Sequence, residues 1–129
     1  MKWSAVAAGE PALGVVIFER LIRPGVLLVG TIRRGGSPRI SGAEPLVMDG
    51  DLWLSMMRTS AKAMDLARDR RILLHSIVTG PEPTAEVKVR GTVHAEDDHD
   101  VQRRYATAVS AEIGWRPVVG GIHAVRGRC

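Results

Sequence analysis

The sequence predicts a mainly β fold with minor helix: a small antiparallel barrel within one domain. Three observations carry that expectation. Short apolar or alternating segments recur along the chain, tight turns join consecutive segments, and only a few stretches carry helical spacing. A chain of 129 residues holds one core, and 45% hydrophobic with 25% charged residues is an ordinary globular composition. Aromatic residues make up only 4%, so aliphatic packing must build that core.

Taken in order, Val15 to Ile22 places apolar Val15, Val16, Phe18, Leu21 and Ile22 around Glu19 and Arg20, a short helix that Pro24-Gly25 ends. Val26 to Ile32 is almost continuously aliphatic, the pattern of a strand covered on both faces. Arg34-Gly35-Gly36-Ser37 follows as a hairpin turn, because paired glycines allow the positive φ that tight hairpins need. In the return strand, Pro38 to Met48, Gly42 and Pro45 suit a bulge or a backbone that faces a ligand. Asp49-Gly50-Asp51 turns the chain into a third strand, Leu52 to Met56. Ser60 caps a helix over Ala61 to Arg68, and Arg71 to Val78 is a fourth strand. Thr79 to Thr84, with Gly80, Pro81 and Pro83, is a loop. From Ala85 to Ala95, Val87, Val89 and Val93 alternate with Glu86, Lys88, Arg90, Thr92 and His94, a half-exposed strand. Val101, Tyr105, Ala108 and Val109 form the apolar face of a helix from Asp98 to Ile113, with Gly114 as its cap. Val118 to Val125 is a candidate last strand. The expected organisation is an N-terminal extension over 1–14, a barrel domain over 15–125 and a tail over 126–129.

Composition narrows the function classes. The single cysteine, Cys129, gives no disulfide framework; residues 1–13, with one basic residue and a short apolar run, are not expected to be a signal peptide, and no stretch reaches membrane-spanning length. A cytoplasmic protein is expected. The formal net charge is +4, but the basic residues are scattered and are almost all arginine, the lysines being Lys2, Lys62 and Lys88. A nucleic-acid surface would gather them in a stripe with aromatic residues between, so neither nucleic acid nor membrane is expected as a partner. His75, His94, His99 and His123 lack metal-ligand spacing, and no metal is expected. His75 sits on a strand, facing either a ligand groove or a polar cluster, and is read as structural. Trp53, mid-strand, is read as core.

The most informative stretch runs from Trp53 to Arg71. A strand end delivers Arg58, Thr59 and Ser60 to a helix N-terminus, with Lys62 in that helix's first turn. Unpaired N–H groups and the helix dipole favour an anion there, and a lysine opposes the dipole unless something negative binds. A phosphate fits this arrangement; so does a capped helix with solvated basic residues.

Three blocks in the order and spacing of one family add to this reading. Leu28-Val-Gly-Thr31-Ile-Arg-Arg-Gly-Gly-Ser37-Pro38-Arg39-Ile-Ser41 resembles its opening hairpin, Asp49-Gly50-Asp51-Leu-Trp53-Leu its "DG-LW" block, and Ser60-Ala-Lys62-Ala-Met-Asp-Leu66-Ala-Arg68-Asp69 its "S-K…L-RDPR" block. The family is the pyridoxamine 5′-phosphate oxidase-like, FMN-binding split barrels, with actinobacterial relatives that use a deazaflavin coenzyme. The likeness runs from about Phe18 to Gly114. It implies an antiparallel six-stranded split β-barrel that forms a homodimer and holds its cofactor between protomers. By that resemblance Arg58, Ser60 and Lys62 hold the cofactor phosphate, while Arg39, Ser41, Gly42, Ser55, Met56 and Met57 lie along its ring system. Two departures stand out. Arg70 occupies a position where proline is usual, and the chain after Val118 offers a shorter closing strand than the family's.

The function implied is an FMN-dependent oxidoreductase, or alternatively a deazaflavin-dependent one, acting on a small-molecule redox substrate. The cofactor supplies the redox chemistry, so no catalytic side chain is expected. Arg33, Arg34 and Arg39 would suit the deazaflavin's anionic tail. A non-catalytic carrier or store of flavin or haem is the alternative.

Overall fold

The computed structural model describes residues 3–81, 85–113 and 122–128. Two helices, α1 (Trp3–Gly9) and α2 (Pro11–Ile17), lead into a turn of π-helix over Phe18–Ile22. Strands β1 (Leu27–Ile32), β2 (Pro38–Met48) and β3 (Asp51–Met57) then form a meander, followed by α3 (Ala61–Arg68). Strands β4 (Arg71–His75) and β5 (Lys88–Ala95), α4 (His99–Ile113) and β6 (Ile122–Arg128) complete the chain. The six strands close a barrel in the order β1-β2-β3-β6-β5-β4, and each neighbouring pair is antiparallel. The expected antiparallel barrel is the observed fold.

Local chemistry explains the turns. Gly36 adopts φ +91° in the β1–β2 hairpin. Gly50 adopts φ +74° between β2 and β3, where its carbonyl accepts from the Ser4 amide of α1 at 3.0 Å. A side chain at Gly50 would also meet the Ser4 hydroxyl, at 2.8 Å from a Cβ.

Inside the barrel, Leu27, Val29, Ala43, Leu52, Leu54, Met56, Ile72, Leu74 and Val93 form one core. Ile17, Leu21 and Ile22 join it from the N-terminal helical region, and Ala63 and Leu66 from α3. A second, smaller cluster lies outside the barrel wall, where Tyr105 and Val109 of α4 cover Leu46 of β2 and Trp53 of β3. Trp53 is thus core, as expected, and its indole N–H donates to the Met48 carbonyl at 2.9 Å.

The structure differs from expectation at several boundaries. The helix expected over 15–22 begins at Pro11, at the first helical position that proline favours, and residues 3–9 are also helical. Strand β4 stops at His75 and β5 starts at Lys88. Between them the Ser76 hydroxyl accepts from the Val87 amide at 3.0 Å, so a side chain replaces one rung of the ladder. Strand β6 runs to Arg128, so Arg126, Gly127 and Arg128, expected as tail, are strand residues. They lie in a slot between β3 and β5, with Gly127 opposite Leu52 and Arg128 opposite Thr92. Such a slot supplies backbone partners on both sides whatever the side chains are. The Gly114 cap and the start of the last strand, Val118 to Gly121, lie outside the described residues. Among those described, no helix is long and apolar enough to cross a membrane.

Candidate functional site

Side chains alternate along a strand, so the outer face of β2 and β3 is set by register. Glu44 lies opposite Ser55 and Leu46 opposite Trp53. One outer row therefore carries Gly42, Glu44 and Leu46 on β2, and Trp53, Ser55 and Met57 on β3. α4 covers the Leu46–Trp53 end of it. The other end is an open groove of about 360 Å³, lined by Val26, Gly42, Ala43, Glu44, Ser55, Met56, Met57 and Lys62.

Gly42 has no side chain to fill this groove, and a Cβ built there would meet only Val26 Cγ2, at 3.9 Å. The groove thus offers bare backbone and room for a flat group. Met57 is exposed at its rim, whereas the Met56 side chain belongs to the barrel core, leaving its backbone to face the groove. Lys62, half-buried in the first turn of α3, makes no ion pair or hydrogen bond among the described residues. With no acidic residue in that turn, its charge adds to the positive end of the helix.

Of the nine residues expected at the site, Gly42, Ser55, Met56, Met57 and Lys62 line the groove. Arg39, Ser41, Arg58 and Ser60 do not. The Ser60 hydroxyl accepts from the Ala63 amide at 3.3 Å and so caps α3. Arg58 is exposed beside it. Ser41 pairs with Val29 on the inward-facing register of the barrel. Arg39 Nε donates to Asp65 at 2.7 Å, and Asp65 also accepts from Thr31 Oγ1 at 2.8 Å and Arg68 at 3.2 Å. Burial alone would raise the pKa of Asp65, but the hydrogen bonds from Arg39, Thr31 and Arg68 outweigh it and hold the carboxyl below its ordinary value. Arg68 also donates to the Ile32 carbonyl at 2.6 Å, which ties α3 to the first hairpin.

The adjoining Asp69 and Arg71 form an exposed ion pair at 2.7 Å. Hydrogen bonding to Arg71 brings Asp69 down to about 2. The Arg-Asp block after α3 therefore works in the scaffold. His75 lies in a polar cluster, with Nε2 3.7 Å from Glu86 and Lys88 3.5 Å from the same carboxylate.

The groove also contains residues the sequence reading passed over. Val26 and Glu44 line it. Glu44 was legible in principle, since it follows Gly42 by two positions on the same strand face. Tyr105 abuts it from α4, close enough to Ser55 and Glu44 that both perturb its phenol.

No protein-family model and no curated protein matches the sequence. Solved structures resemble it. A candidate pyridoxamine 5′-phosphate oxidase of Listeria innocua superimposes with a TM-score of 0.70 at 14% identity, over 88% of each chain. HutZ, the heme storage protein of Vibrio cholerae, does so with a TM-score of 0.70 at 14% identity, over 92% of this chain and 88% of its own. A Clostridium acetobutylicum protein of the pyridoxinephosphate oxidase family, related to general stress protein 26 of B. subtilis, has a TM-score of 0.65 at 21% identity, over 81% and 75% of the two chains. The fold of this chain is that of the pyridoxamine 5′-phosphate oxidase-like split barrels.

Proposed function

We propose that the chain binds a flavin in the groove between β2, β3 and α3, with Lys62 on the cofactor phosphate, and serves as an oxidoreductase for a small-molecule substrate. The observation that carries this reading is a side-chain-free floor at Gly42 beside a half-buried lysine that has no partner among the described residues. A planar ring needs the first and its phosphate the second. Bound flavin would supply the redox chemistry; the chain would hold the phosphate and seat the ring. FMN is the first expectation and a deazaflavin coenzyme the alternative. Arg39 is engaged with Asp65, and Arg33 and Arg34 belong to a hairpin about 13 Å of strand from Gly42. That leaves little basic surface at the groove mouth for a long anionic tail. The groove is open on one side, and a second copy of the chain would cover it.

The test is a titration with FMN, and separately with the deazaflavin coenzyme, followed by ligand fluorescence. FMN should bind, and Lys62→Ala should lose on the order of 1–3 kcal/mol of affinity. Unchanged affinity in that variant would remove the proposed anchor.

A second reading, a flavin or haem store without turnover, is favoured by the fold shared with the heme storage protein HutZ. Rapid mixing separates the two. Reoxidation of the reduced, bound cofactor by an added acceptor marks the enzyme, and its persistence marks the store.

A further inference from the structure

Where α4 meets the groove, two buried hydroxyls lack partners among the described residues. Ser55 is 8% exposed and Tyr105 2%, and neither Ser55 Oγ nor Tyr105 OH makes a hydrogen bond of good geometry among the described residues. An unpaired hydroxyl in a protein interior is costly, on the order of 1–3 kcal/mol, so each such group calls for a reason. These two are neighbours. Ser55 lies close enough to the phenol to offset part of a rise that burial drives to about 12 and that Glu44 reinforces. Trp53 holds the Tyr105 ring in place, the two ring centres 5.6 Å apart. Glu44, directly opposite Ser55 across the strands, is half-buried and has neither ion pair nor hydrogen bond among the described residues. Both Ser55 and Glu44 line the groove.

We propose that Ser55, positioned by Tyr105, donates a hydrogen bond to a carbonyl oxygen or ring nitrogen of the groove's ligand, while Glu44 accepts from an adjacent ligand N–H. A hydroxyl has one proton and two lone pairs. If Tyr105 turns to donate to Ser55 Oγ when the groove is filled, the serine proton is free to point at the ligand. Tyr105 is thus a positioning residue acting through Ser55. The ligand edge that fits this wall has an acceptor next to a donor, as in the cyclic imide of a flavin or deazaflavin ring. Haem has no such edge. The register also sets a polarity, because Ser55 and Glu44 lie two residues, about 7 Å, along the strands from Met57 and Gly42. Lys62 follows the Met57 end of β3, so a flavin with its phosphate on Lys62 would direct its polar ring edge toward Ser55 and Glu44.

This assignment rests on the flavin reading, and its test keeps the two apart. FMN and haemin are titrated separately into wild type, Ser55→Ala, Tyr105→Phe, the double variant and Glu44→Ala, after thermal melts have shown that each is folded. FMN affinity should fall about tenfold in Ser55→Ala and in Glu44→Ala, and about threefold in Tyr105→Phe. The double variant should be no weaker than Ser55→Ala, since Tyr105 acts through the serine. Haemin affinity should not change across the series. Tyr105 is the one tyrosine of the chain, so a ¹³Cζ-tyrosine label gives a single resonance. That resonance should move when FMN is added to wild type and stay still in Ser55→Ala. Wild type that does not bind FMN overturns the flavin reading, and this assignment with it. FMN binding with unchanged affinity in the variants, or Ser55 and Tyr105 effects that simply add, overturns this assignment alone.

Discussion

Asp65 has three donors around a carboxylate that water scarcely reaches, and this single residue decides what Arg39 does. Removing its charge while keeping its shape should weaken the hinge between α3 and the first hairpin. Asp65→Asn is expected to cost about 1.5–3 kcal/mol at neutral pH, the usual worth of hydrogen bonds to a charged group. The pH dependence follows in sign. The folded-state pKa lies below the ordinary 3.8, so the contribution is complete above that value and is lost as pH falls through the lower, folded one. Urea unfolding at a series of pH values should therefore show a constant gap between wild type and variant from pH 7 to about 5, closing only below pH 4. A gap that closed between pH 7 and 5 would mean that another group is responsible. The same residue shows where sequence reading stops. Arg39 stands 26 positions from Asp65, and a scan for cofactor-binding basic residues has no means of seeing that a core-facing carboxylate has already claimed its guanidinium. The place of Lys62 on the groove wall could be anticipated for the opposite reason. A lysine at a helix start is locally unfavourable, and that conflict can be read within five residues.

At the scale of elements, an aliphatic run was enough to recognise β1, turn glycines to bound β2 and β3, the Ser60 cap to start α3, and helical spacing to find the apolar face of α4. β1 proves buried on one face and only partly covered on the other. The boundaries that escaped notice depend on partners. β5 begins late because Ser76 substitutes a hydroxyl for a ladder bond, and β6 extends through Arg-Gly-Arg because two strands flank it. Gly42 on β2 was legible as an anomaly, a glycine inside a strand, and the groove supplies its reason. Its backbone has ordinary strand geometry, and a side chain there would touch only Val26 at van der Waals distance. Gly42→Val should therefore leave the melting temperature unchanged or slightly raised, since a β-branched residue suits a strand better than glycine does. It should also fill the groove floor and reduce FMN affinity by more than tenfold. A variant that melts normally and binds FMN as wild type does would show that the ring does not rest on Gly42.

For the whole molecule, the barrel closes within one chain, so a second copy is not needed to complete the sheet. The case for a homodimer lies on the outer surface. Met57 at the groove rim is 62% exposed, Val26 beside it is also exposed, and Ile40 further along β2 is 72% exposed, all on or next to the face that holds the groove. Exposed apolar groups clustered on a site-bearing face are a liability for a monomer and an asset for an interface. A two-fold pairing would place the same patch on both protomers and wall the open side of each groove with the other chain. We expect light scattering at micromolar concentration to give twice the chain mass. Met57→Lys, which sets a charge into the patch without touching the barrel core, should shift the protein toward monomer. It should lower FMN affinity in parallel, and the loss of affinity should be recovered as protein concentration is raised. A monomer by light scattering would place the whole of any binding site within one chain, and the open groove would then have to hold its ligand against solvent with Lys62, Ser55 and Glu44 alone.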